Sequence, residues 1–128
     1  NFLFDKHNDN VKAIIDLDTL MPGCVLSDIG DMIRTYSNFH GEESTEINNI
    51  IADKEVINQI INGFCSEAIL TPLEKKNLYF SAKAITLMQC VRFLTDHLNN
   101  NMYYKTYYEN QNLIRAKNQW NLFQSLTN

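Results

Sequence analysis

Apolar residues follow two different rhythms along this chain. In "NFLFD" and "VKAIIDLD" they are short, dense runs on either side of "KHNDN", a stretch of Lys, His, Asn and Asp that favours chain reversal. That is the pattern of two strands and a turn, a β-hairpin. From residue 53 onward the rhythm lengthens to the 3.6-residue period of a helix. Asp53 can cap a helix in which Val56, Ile57, Ile60, Ile61 and Phe64 share a face and which ends near Ile69. Thr71, Pro72 and Glu74 spell the N-cap, first-turn proline and third-position acid of a capping box. The helix they open runs to about Leu98, where Asn99, Asn100 and Asn101 stop it. An aromatic connection, "MYYKTYY", whose tyrosines read mainly as packing, leads to a last amphipathic helix. There Leu113, Ala116, Trp120 and Phe123 can share a core face.

Between the hairpin and the long helices, "TLMPGCVL" is a loop punctuated by Pro22 and Gly23, and Ser27 is a plausible N-cap for a short helix to about Tyr36. Residues 37–52, with Gly41 and several acids, read as a mobile connection. The expected fold is mainly α with a β-hairpin, one domain's worth of chain at 128 residues. It divides into the hairpin (1–18), a loop and short helix (19–36) and a helical region (53–128).

Charge and cysteine content narrow the function. A net charge of −4, with no Lys/Arg cluster and no basic stripe interleaved with aromatics, speaks against nucleic acid as a partner. No apolar run approaches the roughly 18 residues that a membrane span needs, so no membrane partner is expected. Cys24, Cys65 and Cys90 stand far apart with no CxxC pair, which suits reduced thiols in or near the core of a cytoplasmic protein. None of their surroundings, "GCVLS", "FCSEA" or "QCVRF", provides the C-x-P-x-R site of a sulfatase. His7, His40 and His97 have no ligand spacing and suit surface or capping roles. The chain opens on Asn1 and goes directly into "FLF" with no leader, cap or turn, which reads as a cut end.

Four aspartates crowd the stretch "AIIDLDTLMPGCVLSDIGDMIR". In a hairpin turning near residues 7 to 9, the start of the first strand faces the end of the second, so Asn1 should neighbour Asp16. An amide oxygen and a carboxylate are the hard ligands that Mg²⁺ takes, with phosphate and water completing its shell. Asp18, two residues on, points to the same side as Asp16 if the strand persists. Asp28 and Asp31 fall in the first turn of the next helix, where the helix dipole favours acids whatever the function. Asp31 also stands three residues before Arg34, within pairing reach on a helix. On the residues alone, strand-end acids that merely solvate a loop remain an alternative.

"NFLFD…VKAIIDLDTLMPGCVLSDIGDMIR" resembles the C-terminal lobe of kinases of the aminoglycoside-phosphotransferase and choline-kinase type, closest to the N-acetylhexosamine 1-kinases. "RFLTDHLNNNMYYKTYYENQNLIRAKNQW" resembles the end of those sugar kinases, so the likeness spans nearly the whole chain. The resemblance implies the helical lobe of a protein-kinase-like fold and phosphoryl transfer from ATP to the anomeric hydroxyl of an N-acetylhexosamine. Under it, Asn1 matches the catalytic-loop Asn that binds Mg²⁺, Asp16 the aspartate that holds Mg²⁺ on the nucleotide, and Asp28 an acid that supports the catalytic loop. Asp18 is a further possible metal ligand and Asp31 a supporting acid. Arg92 and Tyr103 lie in the most sugar-kinase-like stretch and offer the forked donor and aromatic wall that a neutral polyhydroxy substrate wants. Asp96, four residues on, is the competing partner for Arg92.

The family's H-G-D-x-x-x-x-N loop would put the catalytic aspartate ahead of Asn1, and the phosphate-covering loop and ATP-holding lysine have no match here. The chain alone is therefore expected to be inactive, and to self-associate through Phe2, Phe4 and an unpaired strand edge. Competing readings are a kinase acting on an aminoglycoside or choline-like alcohol and a non-catalytic helical interaction module. "DLDT" also invites comparison with the D-x-D-x-[TV] motif of haloacid-dehalogenase phosphatases. Leu20 stands where Thr or Val is required, however, and no further parallel strand follows.

Overall fold

The computed structural model describes residues 2–8 and 10–127. The elements are β1 (Phe2–Phe4), β2 (Val11–Ile14), α1 (Val25–Tyr36), α2 (Lys54–Glu67), α3 (Pro72–Leu98) and α4 (Gln111–Thr127). The fold is mainly α with a small antiparallel hairpin, as the two rhythms of the sequence predict.

β1 and β2 pair Phe2 with Ile14, Leu3 with Ala13 and Phe4 with Val11, with an irregularity between Leu3 and Phe4. The turn is held by side chains. Asp5 Oδ1 accepts from the His7 N–H at 2.8 Å, Asn8 Oδ1 from the Asn10 N–H at 3.1 Å, and Lys12 pairs with Asp5 at 2.7 Å. Every strand residue is exposed, because the hairpin packs on itself and barely touches the helices.

β2 stops at Ile14, and the strand does not persist to Asp18 as the sequence reading allowed. The backbone turns at Asp16, which sits at φ 61°, ψ 49°, and Leu17–Thr19 form a single 3₁₀ turn. Asp tolerates this left-handed conformation better than most residues. Asp16 and Asp18 are thus separated by a turn rather than aligned on one strand face.

α1 begins at Val25, earlier than a Ser27 cap would place it. Cys24 is the N-cap residue and makes no side-chain cap bond, while Ser27 lies inside the first turn with its N–H donating to the Cys24 carbonyl at 2.9 Å. Burial of Ile29 and Ile33 against α3 fixes this helix instead of a polar cap. Gly30 marks the crossing. A Cβ there would lie 2.8 Å from the Ser81 carbonyl oxygen and 2.9 Å from Ile85 Cγ1, so the two helices approach as closely as they do only because residue 30 has no side chain.

α2 starts at the expected cap, the Asp53 carboxylate accepting from the Glu55 and Val56 N–H groups, but ends at Glu67, two residues before Ile69. The capping box of α3 forms as read, Thr71 and Glu74 each bonding the other's backbone N–H. The main core joins Ile29 and Ile33 of α1, Ile57 of α2, Leu78 and Ala82 of α3 and Leu122 and Leu126 of α4. A smaller cluster joins Cys90 and Phe93 to Ala116, with Tyr104 packed against it.

Residues 37–52 are an anchored segment, not a mobile connection. Asn38 bridges Ala52, Ile50 and Ala52 enter the main core, the Ala52 N–H donates to Ser125 Oγ at 2.8 Å, and Asn121 donates to the Ile47 carbonyl at 2.8 Å. Turn-forming residues signalled an irregular backbone here but carried no sign of α4 reaching across to hold it.

α4 also departs from its expected orientation. Gln111, Asn112, Arg115, Asn118 and Gln119 are buried, whereas Trp120, read as core, is 45% exposed and stacks on Phe123 with ring centroids 5.6 Å apart. Of the cysteines, Cys90 is buried and Cys65 partly so. Cys24, expected near the core, is exposed because it precedes α1 on a loop. Among the described residues no helix is long and apolar enough to cross a membrane.

Candidate functional site: two clefts, one acidic and one aromatic

Asp16 and Asp28 line one cleft of about 410 Å³, together with Leu17, Leu20, Met21 and Ser27. The left-handed turn at Asp16 and the first turn of α1 at Asp28 bring these acids to one hollow although they are twelve positions apart in sequence. Among the described residues neither carboxylate has a hydrogen-bonding partner, so Asp28 is not seen bracing a neighbouring loop. Asp18 is exposed and is not part of the cleft lining. Asn1, the expected neighbour of Asp16, lies outside the described residues.

Asp31 is committed elsewhere. Its carboxylate accepts from Arg34 Nε at 2.8 Å, the pair expected three residues apart, and Arg34 Nη1 reaches Glu42 at 2.9 Å and Gln119 Oε1 at 3.2 Å. Burial disfavours the Arg34 charge, but Asp31 and Glu42 more than compensate and raise its pKa further. Asp31 therefore helps tie α1 to the 37–52 segment and α4.

Among the described residues no three His, Cys, Asp or Glu side chains gather as a set able to hold a metal ion. A cleft with two uncommitted carboxylates fits a cation that needs only one or two protein ligands, the habit of Mg²⁺ with phosphate, and not one that needs a complete protein cage.

The second cleft, about 390 Å³, is lined by Arg92, Thr95, Asp96, Asn99, Tyr103 and Tyr104, with Val91 at its edge. Arg92 lies over the aromatic wall, its Cζ 5.6 Å from the Tyr104 ring centroid and 5.9 Å from that of Tyr103, and Nη1 meets Gln89 Oε1 at 3.3 Å. The Arg92–Asp96 pair that helical spacing allows does not form.

Asp96 instead accepts from the N–H groups of Tyr103 at 2.8 Å and Tyr104 at 2.9 Å and from Asn112 Nδ2 at 2.9 Å. Burial works against its charge, but the backbone donors of Tyr104, Tyr103 and Met102 outweigh it and hold its pKa below the usual aspartate range. Asn100 and Asn101 take left-handed backbones at φ 63° and 57°, which folds the chain back so that the tyrosines meet Asp96. Only Tyr104 of the aromatic run packs inward, on Phe93 at 4.7 Å, while Tyr103 and Tyr107 are about three-quarters exposed at 74% and 75%.

A polar scaffold stands behind this cleft. The Arg115 guanidinium lies 5.5 Å from the Phe93 ring centroid, donates to Glu43 and to Asn112 Oδ1 at 2.8 Å, and reaches the Lys105 carbonyl at 3.3 Å. Gln111 joins it, donating to Glu43 at 2.8 Å and accepting from the Tyr107 N–H at 2.6 Å. Burial raises the pKa of Glu43, but the bonds from Arg115 and Gln111 prevail and lower it. The sequence reading missed Asp96, Arg115 and Glu43 as a group. An acid just before an Asn-rich helix end was the one local sign. His97, in the last turn of α3, has its Nδ1 buried without a hydrogen-bond partner among the described residues.

The acidic and aromatic clefts share no lining residue. No protein-family model matches the chain.

Proposed function

We propose that this chain is the C-terminal, helical part of a cytoplasmic ATP-dependent small-molecule kinase of the aminoglycoside-phosphotransferase and choline-kinase type, acting on the anomeric hydroxyl of an N-acetylhexosamine. The observation that carries the reading is the chain order at the acidic cleft: strand, turn, strand, then Asp16 on a left-handed turn with Asp28 beside it in one hollow. In this reading Asp16, with Asn1, would hold Mg²⁺, which neutralises charge on the nucleotide phosphates, and Asp18, which does not line the cleft, is not a ligand. Asp28 lines the site, while Asp31 is paired with Arg34 and anchors α1 outside it. The catalytic base, the nucleotide lysine and the phosphate-covering loop come from a segment ahead of Asn1 in a longer parent protein.

The aromatic cleft supports the acceptor class. Arg92 already covers the faces of Tyr103 and Tyr104, and the carboxylate of Asp96 is engaged by two backbone donors and the Asn112 amide. An aminoglycoside or choline-like cation would meet a like charge there, without a free acid to receive it. A neutral sugar would find donors and an apolar wall.

The test uses a protein that includes the upstream kinase parts. Asp16→Asn should lower kcat by at least about a hundredfold, the scale for loss of one preorganised electrostatic group. Arg92→Ala should raise KM for N-acetylhexosamine by about tenfold or more, the scale of a lost pocket contact. Full turnover by Asp16→Asn, or an unchanged sugar KM in Arg92→Ala, would count against the respective role. The 128-residue chain itself should turn over no ATP with any sugar.

A further inference from the structure

Between α3 and the C-terminal end of α4 runs an apolar trough of about 620 Å³, floored by Phe80, Ala84, Leu87, Met88, Val91 and Phe123. Lys83 borders it and also lines an adjoining hollow with Lys54. Arg92 borders it as well and leads on to the aromatic cleft. The three hollows adjoin along α3, the apolar one sharing Lys83 and Thr127 with one neighbour and Val91 and Arg92 with the other. Lys83 and Arg92 are nine positions apart on the same helix, about 13.5 Å along its axis.

Two features say what such a trough would accept. Among the described residues, Lys54, Lys83 and Arg92 have no carboxylate at ion-pair distance, although Arg34 and Arg115 of the same chain are paired with acids. The part of the sequence that supplies α3 and α4 is positive despite the negative whole. Residues 71–128 hold seven Lys/Arg against three Asp/Glu, and residues 1–70 hold four against twelve. The floor is also shallow, with Phe80 64%, Met88 46% and Val91 53% exposed. A small ligand in a built pocket typically buries most of its surface. Here much of it would remain in water, whereas an amphipathic helix lying along the trough could cover the floor from end to end.

We propose that this trough docks an amphipathic helix of an acidic partner protein, whose apolar side chains fill the floor while carboxylates on its two opposite flanks, about 13.5 Å apart along the axis, meet Lys83 and Arg92, which stand on opposite sides of the α3 stripe. The proposal shares Arg92 with the sugar pocket of the kinase reading but uses neither the acidic cleft nor any upstream segment, and its test through Met88 and Lys83 touches no residue of that pocket.

The experiment titrates the 128-residue chain into a fluorescein-labelled helical peptide of eighteen residues, read by fluorescence anisotropy. The peptide carries leucines at helical spacing and two glutamates nine positions apart, and a second peptide carries lysines in place of the glutamates. Micromolar binding of the acidic peptide and at least about tenfold weaker binding of the basic one are expected. Met88→Glu should weaken the acidic peptide by at least about tenfold, with circular dichroism confirming that the helices are retained. Lys83→Glu should weaken the acidic peptide and strengthen the basic one, a reversal that misfolding cannot produce. Equal binding of the two peptides, no saturable binding of either, or no reversal in Lys83→Glu would overturn the proposal. So would sodium laurate binding tightly where the acidic peptide does not. A dimer by light scattering that Met88→Glu converts to monomer would also overturn it, by showing that a second copy covers the trough.

Discussion

In the β-hairpin, Phe2, Leu3, Phe4, Val11 and Ile14 all stand in solvent, whereas α4 buries Asn112, Arg115, Asn118 and Gln119 and leaves Trp120 outside. The apolar pattern identifies both elements, yet in neither does it tell which residues are hidden. A side chain is buried when its element has a surface to lie against and its polar atoms have partners there. α4 has both. Asn118 accepts from Asn38 at 3.1 Å and donates to the Gly41 carbonyl at 2.9 Å, and Gln119 donates to Asn118 at 3.2 Å and accepts from Arg34 at 3.2 Å. These bonds make α4 the strap that holds residues 37–52 onto α1 and α3. The hairpin satisfies its own backbone across two strands but has no sheet or helix to lie on, and an isolated two-stranded hairpin is marginal in water.

The sharpest way to break this contrast is to remove the centre of the polar scaffold. Arg115→Ala leaves Glu43, Asn112 and the Lys105 carbonyl without their shared donor and uncovers the face of Phe93. A loss of about 2 to 3 kcal/mol is expected, from acceptors left without their donor and lost packing on Phe93, the Glu43 pair adding little because that side chain is 52% exposed. Urea unfolding followed by circular dichroism should show it as a lower midpoint. Trp120→Ala on the outer face of the same helix should cost well under half as much. Equal losses would mean that the helix is held by its apolar stripe after all.

Gly30→Ala probes the apolar side of the body. The added Cβ would strike the Ser81 carbonyl, a backbone atom that can retreat only if α1 and α3 part. About 2 kcal/mol should be lost, the usual scale of overpacking, measured as a fall in the midpoint of thermal unfolding. Gly63→Ala is the control, since a Cβ there meets nothing.

The acids of the scaffold give the helical body a pH dependence of its own, as the Lys12 ammonium beside Asp5 lowers that acid's pKa in the hairpin. Asp96 and Glu43 both have pKa values depressed on folding. Their contribution is therefore fully present above the unfolded carboxylate range, near pH 4, and is lost as pH falls through the folded values. Urea midpoints measured from pH 7 down to pH 3 should fall, and the fall should be shallower in Glu43→Gln. An identical slope in that variant would remove Glu43 from the account.

What the sequence disclosed follows the range of the interactions. The hairpin, the Asp53 cap and the Thr71–Glu74 capping box depend on residues within a few positions of one another and were legible. The burial of Arg115 depends on Glu43, seventy-two positions away, and the anchoring of Ala52 on Ser125, so neither left a local trace. The Arg92–Asp96 pair was a reasonable local expectation that lost to the Tyr103 and Tyr104 N–H groups, brought in by the left-handed turn at Asn100 and Asn101, and to Asn112 of α4. At the acidic cleft, the acids were conspicuous in the sequence. The juxtaposition of Asp16 with Asp28 required the turn at Asp16, which a strand pattern continuing to Asp18 concealed.

The smallest expected effect belongs to the hairpin and tests whether its exposure is the state in which it functions. In the 128-residue chain, Phe4→Ser removes an apolar side chain that is 58% exposed and touches no core. The midpoint of global unfolding should therefore shift by no more than about 0.5 kcal/mol, the range of an ordinary surface substitution. Any self-association driven by the strand edge and by Phe2 and Phe4 should weaken, seen as a smaller average mass by light scattering at high concentration. In a longer protein whose upstream segment covers the hairpin, as the kinase reading requires, the same change would put a hydroxyl in an apolar interior and cost about 3 kcal/mol or more. A near-neutral result in both contexts would mean that nothing covers the hairpin and would separate it from any lobe built above it. A large loss in the short chain would mean that β1 packs on the helices in solution, contrary to the exposure seen along the whole strand.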